Sequence, residues 1–241
     1  MSYMHILPGI RIIDLALYFE KEKILALSDF HLGYEEALNK QGVLIPRFQF
    51  IETLERLEKI FTGLDIKQVI INGDLKYEFG MISQTEWRDT SKLLDFISER
   101  CKNIVLIKGN HDTILGPIAD KKGIKLVDFY ETNSAIFIHG HKLVRIKSGK
   151  TLVIGHEHPA IGLRSNLRIE HYKCFLKGKF SKQDLIVMPS FNLVTEGGNI
   201  LKEKLLSPYL KNIGTFEVYV VGEKDKNNKN VFYFGKIGNL I

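Results

Sequence analysis

Short apolar runs recur along this chain and stop abruptly at glycine, aspartate or histidine. KILALSD, KQVIINGD, NIVLIKGNHD, SAIFIHG and TLVIGHEH share that form, and each reads as a buried strand rich in Ile, Val and Leu. Residues Gly9 to Lys21 read as one or two further strands ahead of Ile24 to Ser28. Helical spacing lies between the runs. Pro46 followed by Phe50, Leu54, Leu57 and Phe61 predicts an amphipathic helix over roughly 46–62. Ser83 with Glu86 forms a capping box that opens a helix through Arg100, with Trp87, Leu94 and Ile97 facing inward. A strand over Asn103 to Lys108, a short helix after Asp112 and a strand near Lys125 complete an alternating half.

From about Tyr130 onward the pattern turns to strands: Ala135 to Ile138, Thr151 to Ile154, Leu167 to Leu176 and Leu185 to Met188. Thr215 to Val221 and Val231 to Lys236, joined by the polar stretch Glu223 to Asn230, predict a closing β-hairpin over about 213–241. So many strands overfill one sheet. Two stacked sheets with helices on their outer faces satisfy both halves, and the lack of repeats or linkers makes one domain over 1–241 the expectation.

Charge modifies that picture locally. The net charge of +6 hides ten basic residues between Lys142 and Lys182, namely Lys142, Arg145, Lys147, Lys150, Arg164, Arg168, Lys173, Lys177, Lys179 and Lys182, against Glu157 and Glu170. The rest of the chain is then slightly acidic. Such a segment is either a solvated lysine-rich surface or a face that tracks phosphates. Cys101 and Cys174 are too few for a disulfide framework and lack CxxC spacing, which suits a reducing cytosol. No apolar run approaches the roughly 20 residues that cross a bilayer, so a cytoplasmic protein with no membrane partner is expected.

The chemistry gathers where the apolar runs end. Asp29 and His31 stand two apart, and in extended chain such residues point the same way, so a carboxylate and an imidazole can grip one cation. Asp74 follows Gly73, whose freedom lets the carboxylate project from a sheet edge. Gly109-Asn110-His111-Asp112 supplies an amide oxygen, an imidazole and a carboxylate at a strand end, and Gly155-His156-Glu157-His158 supplies two same-facing histidines. His139 and His141 flank Gly140, and only one of them is needed as a ligand. Singly, each motif also has a plain structural explanation as a turn residue or surface pair. In open α/β sheets, however, the carboxyl ends of strands form a shared crevice.

In the order Asp-x-His, Gly-Asp, Gly-Asn-His-Asp, His-Gly-His, Gly-His-x-His, the chain resembles the calcineurin-like metallophosphoesterases from roughly Ile24 to His158. The strings LSDFHLGYEEAL, INGDLKYEFG, GHEHPAI and MPSFN are similar to the archaeal SbcD-related and DNA-ligase-associated phosphoesterases, kin of a nuclease subunit in double-strand-break repair. The resemblance implies a four-layer α/β/β/α sandwich of two mixed sheets and a centre of two divalent ions. Asp29, His31 and His158 would hold the first ion, Asn110, His139 and His156 the second, and Asp74 would bridge them, with His141 outside the set. His111 would donate a proton to the leaving oxygen or bind the phosphate, and Asp112 would fix its tautomer. Mixed nitrogen and oxygen ligation favours Mn²⁺, Fe²⁺, Ni²⁺ or Zn²⁺, with Mn²⁺ first by resemblance. Two such ions outweigh the charges of Asp29 and Asp74, which leaves positive charge for a phosphoryl group and an attacking water.

One departure narrows the substrate. Asp74 is followed by Leu75-Lys76-Tyr77-Glu78 rather than the Gly-Asp-x-x-Asp-Arg-Gly of protein serine/threonine phosphatases, which speaks against that role. The expected activity is a phosphodiesterase on nucleic acid, DNA favoured. A small-molecule phosphoesterase such as a nucleotidase or cyclic-nucleotide phosphodiesterase is the rival, because specificity lies in the surrounding loops. A non-catalytic repair subunit is the third class, and the intact ligand set argues against it. The resemblance also admits a homodimer and a ligase or helicase as partner.

Overall fold

A computed structural model describes residues 3–80, 82–145, 149–165, 168–225 and 228–240. The first sheet runs in chain order: β1 (Met4–Leu7), β2 (Ile10–Ile13), β3 (Ala16–Phe19), β4 (Ile24–Leu27), β5 (Gln68–Asn72), β6 (Ile104–Ile107) and β7 (Lys125–Val127). Tight turns make β1 to β4 antiparallel, whereas β4 to β7 are parallel and joined by helical crossovers. Every residue of β4, β5 and β6 is buried, as continuous apolar runs covered on both faces require.

Helices α1 (Tyr34–Lys40), α2 (Gln49–Thr62), α3 (Gln84–Arg100) and α4 (Gly116–Lys121) supply the crossovers. The capping box of α3 forms as expected, with Glu86 N–H donating to Ser83 Oγ at 3.1 Å and Ser83 N–H to Glu86 Oε2 at 2.9 Å. Helix α2 starts three residues later than Pro46 suggests. Glu35, on α1, accepts the Phe48 and Gln49 N–H groups at 2.9 Å each, so a distant carboxylate satisfies the first orphan donors and sets the start.

The second sheet holds β8 (Phe129–Glu131), β9 (Ala135–Ile138), β10 (Thr151–Ile154), β11 (Pro159–Ser165), β12 (Arg168–Phe180), β13 (Gln183–Val187) and β14 (Gly198–Asn199), in the order β14-β11-β12-β13-β10-β9-β8. The C-terminal hairpin of β15 (Glu217–Asp225) and β16 (Asn228–Lys236) joins it through β12. Residues 226–227 of the expected hairpin turn, Leu167 of the expected strand and Lys147 of the basic segment lie outside the described residues.

Alternation along the strands shows how the sheets stack. Ala135, Phe137, Val153, Phe175 and Ile186 join the core shared with the first sheet, and Phe137 meets Phe19 edge to face at 5.2 Å. Their neighbours Ile136, Ile138, Leu152, Ile154, Cys174, Leu176, Leu185 and Val187 face a second core. The architecture is therefore α/β, with two packed mixed sheets flanked by helices. The helical cover is uneven. The four described α-helices all precede Lys122, and among the described residues the outer core is closed by turn segments contributing Ile200, Tyr209, Leu210 and Phe216, and by a 3-10 turn at Ile237–Asn239. None of the described helices is long and apolar enough to cross a membrane.

Candidate metal centre

The parallel strands of both sheets release their carboxyl ends toward one point. β4 leads to Asp29 and His31, β5 to Asp74, β6 to Asn110 and His111, β9 to His139, and β10 to His156 and His158. His158 Nε2 lies 3.3 Å from Asp29 Oδ1 and 3.2 Å from His31 Nε2. His139 Nε2 lies 3.2 Å from Asp74 Oδ2 and 2.9 Å from Asn110 Oδ1. Asp74 Oδ2 is also 3.6 Å from His31 Nε2, between the two groups. Asp29, His31 and His158 form one set of convergent donors, and Asp74, His139 and His156 another. All seven expected ligands are thus brought together; His141 stands beside them, its ring 5.2 Å from His139 and 6.0 Å from His156, but belongs to none of the convergent donor sets.

The loops that carry these donors are bent hard. Asp29, His31, Asp74, His156 and His158 have φ of 54°, 47°, 45°, 64° and 47°, the left-handed region that side chains rarely adopt. Backbone hydrogen bonds between loops enforce it: Asp29 N–H to Gly73 O at 3.1 Å, His31 N–H to Asp74 O at 2.9 Å, and Gly155 N–H to His139 O at 3.0 Å. Two glycines allow the close approach. A Cβ on Gly155 would stand 2.1 Å from Ser28 Oγ and 2.3 Å from Asp29 Oδ2, and one on Gly109 would stand 2.0 Å from Asp74 Oδ1. Ser28 Oγ in turn donates to Asp29 Oδ2 at 2.5 Å.

The donor set fits cations. Ligand arms of about 2.1 Å at right angles leave donor atoms about 3.0 Å apart, close to the contacts above. Burial alone would raise the Asp29 and Asp74 carboxyls, yet the nearby histidines hold both below the ordinary range: His158 then His139 at Asp29, and His139 then His31 at Asp74. Burial, with the neighbouring His158, lowers His31 to about 3, and burial with His139 lowers His156 to about 4, so both rings present free lone pairs at neutral pH. His139 goes the other way. Burial opposes its charge, but the hydrogen bond to Asp74 and the charge of Asp29 raise it to about 9. A cation entering there takes the place of that proton.

His111 sits at the open rim. Its Nε2 is 3.9 Å from Asp74 Oδ2, and its backbone N–H donates to Asp74 Oδ1 at 2.8 Å. The expected contact with Asp112 is corrected here: His111 Nδ1 meets the Tyr77 carbonyl, which fixes the Nδ1–H tautomer, and Asp112 points elsewhere. The fully buried Asp112 carboxylate accepts N–H groups from Gly109 at 3.0 Å, Leu75 at 3.1 Å and Lys76 at 3.4 Å, which ties the Asp74 loop to the Asn110 loop. Burial, reinforced by the charge of Asp74, raises that carboxyl to about 6.

Sequence reading missed the rim aromatics Tyr34, Tyr77 and Phe79; the signal available was Tyr-Glu-Phe-Gly just after the Gly-Asp motif. The basic segment divides. Lys150 pairs with Glu131, Lys177 with Glu217 and Lys179 with Asp184, and Lys173 is buried, its Nζ donating to Ser190 Oγ at 2.9 Å and the Thr195 carbonyl at 2.6 Å. Arg164 and Arg168 lie exposed on the β11–β12 hairpin that leaves directly from His158.

The sequence pattern of the calcineurin-like phosphoesterase family matches residues 22–222. No curated protein matches the chain. Among solved structures the chain is similar to the nuclease MPE of Pseudomonas putida, at 19% identity, covering 91% of this chain and 96% of that one with a TM-score of 0.62. It is also similar to Yfce, a phosphoesterase from E. coli, at 12% identity, covering 83% and 88% with a TM-score of 0.40. The first likeness extends the two-sheet architecture to nearly the whole of both chains.

Proposed function

Since the chain belongs to the calcineurin-like phosphoesterase family, and is thereby a metal-dependent phosphoesterase, we propose that it is a nuclease that hydrolyses phosphodiester bonds of nucleic acid, DNA above all, in repair. The observation that carries the chemistry is the convergence of seven donors from five strand ends on one crevice. Asp29, His31 and His158 would hold one divalent cation and Asn110, His139 and His156 the other, with Asp74 between the two sets; Mn²⁺ is the proposed ion. A bound pair of such cations supplies Lewis acidity toward a phosphoryl oxygen and lowers the pKa of an attacking water.

The chain's own groups do the rest. With Nδ1–H committed to the Tyr77 carbonyl, His111 turns Nε2 toward the substrate side, where its protonated form donates to the leaving oxygen. Asp112 touches no reacting group and acts as a positioning residue, because its carboxylate fixes the backbone of two ligand loops. The nucleic-acid part of the proposal draws on Arg164 and Arg168, carried by a hairpin that begins beside His158, and on the fold shared with a protein named a nuclease. The cytoplasm is the proposed location, and one domain the proposed organisation.

A small phosphodiester is the second reading, favoured by a cavity of about 260 Å³ beside His158 whose lining includes Thr195, Asn199 and Lys204. Single-stranded DNA, duplex DNA, RNA and a small phosphodiester, each assayed with Mn²⁺ and with chelator, separate the two. A nuclease cuts strands and loses affinity steeply as salt rises, because contacts to several phosphates release counterions. Turnover of the small ester alone, insensitive to salt, overturns the nuclease proposal.

A further inference from the structure

Beside the ligand cluster stands an aromatic side chain to which the chemistry above gives no task. Phe79 is 55% exposed, yet its loop is firmly held. Glu86, 1% exposed, accepts the N–H groups of Tyr77 at 3.2 Å and Glu78 at 2.8 Å in addition to serving the α3 cap. Lys76 Nζ donates to the Glu78 carbonyl and Thr113 Oγ1 to the Phe79 carbonyl. One face of the Phe79 ring rests on His111, with centroids 3.7 Å apart and planes 34° apart. Tyr77 stacks on His111 from 5.5 Å, and Tyr34 lies 4.6 Å behind Tyr77. Isolated exposed aromatics are ordinary on protein surfaces. Here the backbone of residues 77–79 is held by four hydrogen bonds, the ring rests against a histidine that faces Asp74, and more than half of the residue is open to solvent.

Resting on the nuclease reading, we propose that the free face of Phe79 stacks an unpaired nucleobase of the nucleotide whose phosphate is cut. His111 and Asp74 mark the phosphate position, and Phe79 rests directly on His111, whose Nε2 is 3.9 Å from Asp74 Oδ2. A base inside a duplex has both faces covered by its neighbours, so only an unpaired or extruded base offers the π-face that this platform accepts. The favoured substrate is therefore a single-stranded or frayed segment. Stacking of this kind tolerates any base, which suits a nuclease without sequence preference.

The test uses a short strand with one cleavable phosphodiester, its other linkages blocked as methylphosphonates, and the adjoining residue either adenine or abasic. Wild type is expected to show a kcat/KM for the adenine strand about fivefold to a hundredfold above the abasic strand. The ratio is expected to fall near one in Phe79→Ala and Phe79→Leu and to persist in Phe79→Trp. A wild-type ratio near one, with both strands cut, overturns the stacking subsite and leaves the nuclease reading standing; so does an unchanged ratio in Phe79→Ala. 2-Aminopurine riboside monophosphate is the second probe. If neither strand is cut but its fluorescence is quenched by wild type and not by Phe79→Ala, the subsite holds for a free nucleotide and the nuclease reading fails. If neither strand is cut and no quenching is seen, both are overturned.

Discussion

Gly155→Ala adds one methyl group at a point of very close approach between the two sheets. The new Cβ would stand 2.1 Å from Ser28 Oγ and 2.3 Å from Asp29 Oδ2, where ordinary contacts begin at 3.4 Å. Asp29 therefore has to retreat by about 1 Å, a displacement that costs a positioned group about 100-fold in effectiveness. Ser28 Oγ, nearer still, has to shift with it and strains the hydrogen bonds that hold it to Asp29 Oδ2 and the Asn72 carbonyl. Overpacking adds about 1–3 kcal/mol of destabilisation, too little to unfold a domain of ordinary stability. The damage falls on one side of the centre. Gly155→Ala is expected to retain one Mn²⁺ per chain, held by Asn110, His139 and His156, where wild type holds two. Gly109→Ala presses on Asp74 at 2.0 Å and is expected to retain none. Gly116→Ala, which meets nothing within 4 Å, serves as the control and keeps both. Metal content after dialysis and calorimetric titration with Mn²⁺ read the outcome, with circular dichroism to confirm folding. A folded Gly155→Ala protein that binds two ions with wild-type affinity refutes the assignment of Asp29 to the first site.

His111→Ala is expected to keep both ions and lose turnover by about 10²- to 10⁴-fold, the range for a general acid; an unchanged rate removes His111 from proton transfer. Asp74→Ala is expected to release both ions and abolish hydrolysis, as chelation does in wild type, and two ions retained in the dialysed variant would contradict a bridging carboxylate. Lys173 gives a stability signature. Burial lowers its ammonium from 10.5 to about 8, so between those pH values the unfolded chain binds more protons and stability rises with pH by about 3 kcal/mol. Below pH 8 the same amount is a standing cost in wild type and is absent from Lys173→Met. Urea midpoints at pH 7.5 and 10 are expected to move in favour of wild type, and a difference independent of pH refutes a buried, weakened base.

The sequence was most legible where one strand or one helix end determined the outcome. β4, β5 and β6 are covered on both faces, so their apolar runs are continuous and their ends stand out as Gly-Asp or Gly-Asn-His-Asp. Ser83 and Glu86 are three residues apart and cap α3 through each other's backbone N–H groups. Features set by distant partners stayed hidden. The start of α2 depends on Glu35, the His111 tautomer on the Tyr77 carbonyl, and the role of Asp112 on N–H groups from a loop that begins 38 positions earlier at Asp74. Counting charges likewise overstated the basic segment, since Lys150, Lys177 and Lys179 meet acids across strands and Lys173 turns inward. Strand β11 (Pro159–Ser165) escaped notice because its burial does not alternate: Pro159, Ala160 and Ile161 are buried in succession and Arg164 is exposed.

The left-handed backbone at Asp29, His31, Asp74, His156 and His158 explains why the proposed centre is made by loops locked to one another. Asp and His tolerate that conformation better than most residues, yet each instance costs about 1–2 kcal/mol. Five of them approach the net stability of a whole domain, about 5–15 kcal/mol. Such a sum persists only where neighbours over-determine the geometry. The hydrogen bonds form a continuous chain that does so: His111 N–H binds Asp74, the Asp74 loop binds the Asp29 loop, His156 N–H binds Asp29 Oδ2 at 3.1 Å, and the His156 loop binds the His139 loop. Phe191 and Asn192 N–H groups add a further clamp on the carbonyls of Ser28 and Asp29. Donor positions are thus fixed by peptide groups and not by the side chains alone. The same interlock makes the centre intolerant of a single methyl group, because no ligand loop can relax without pulling on the next.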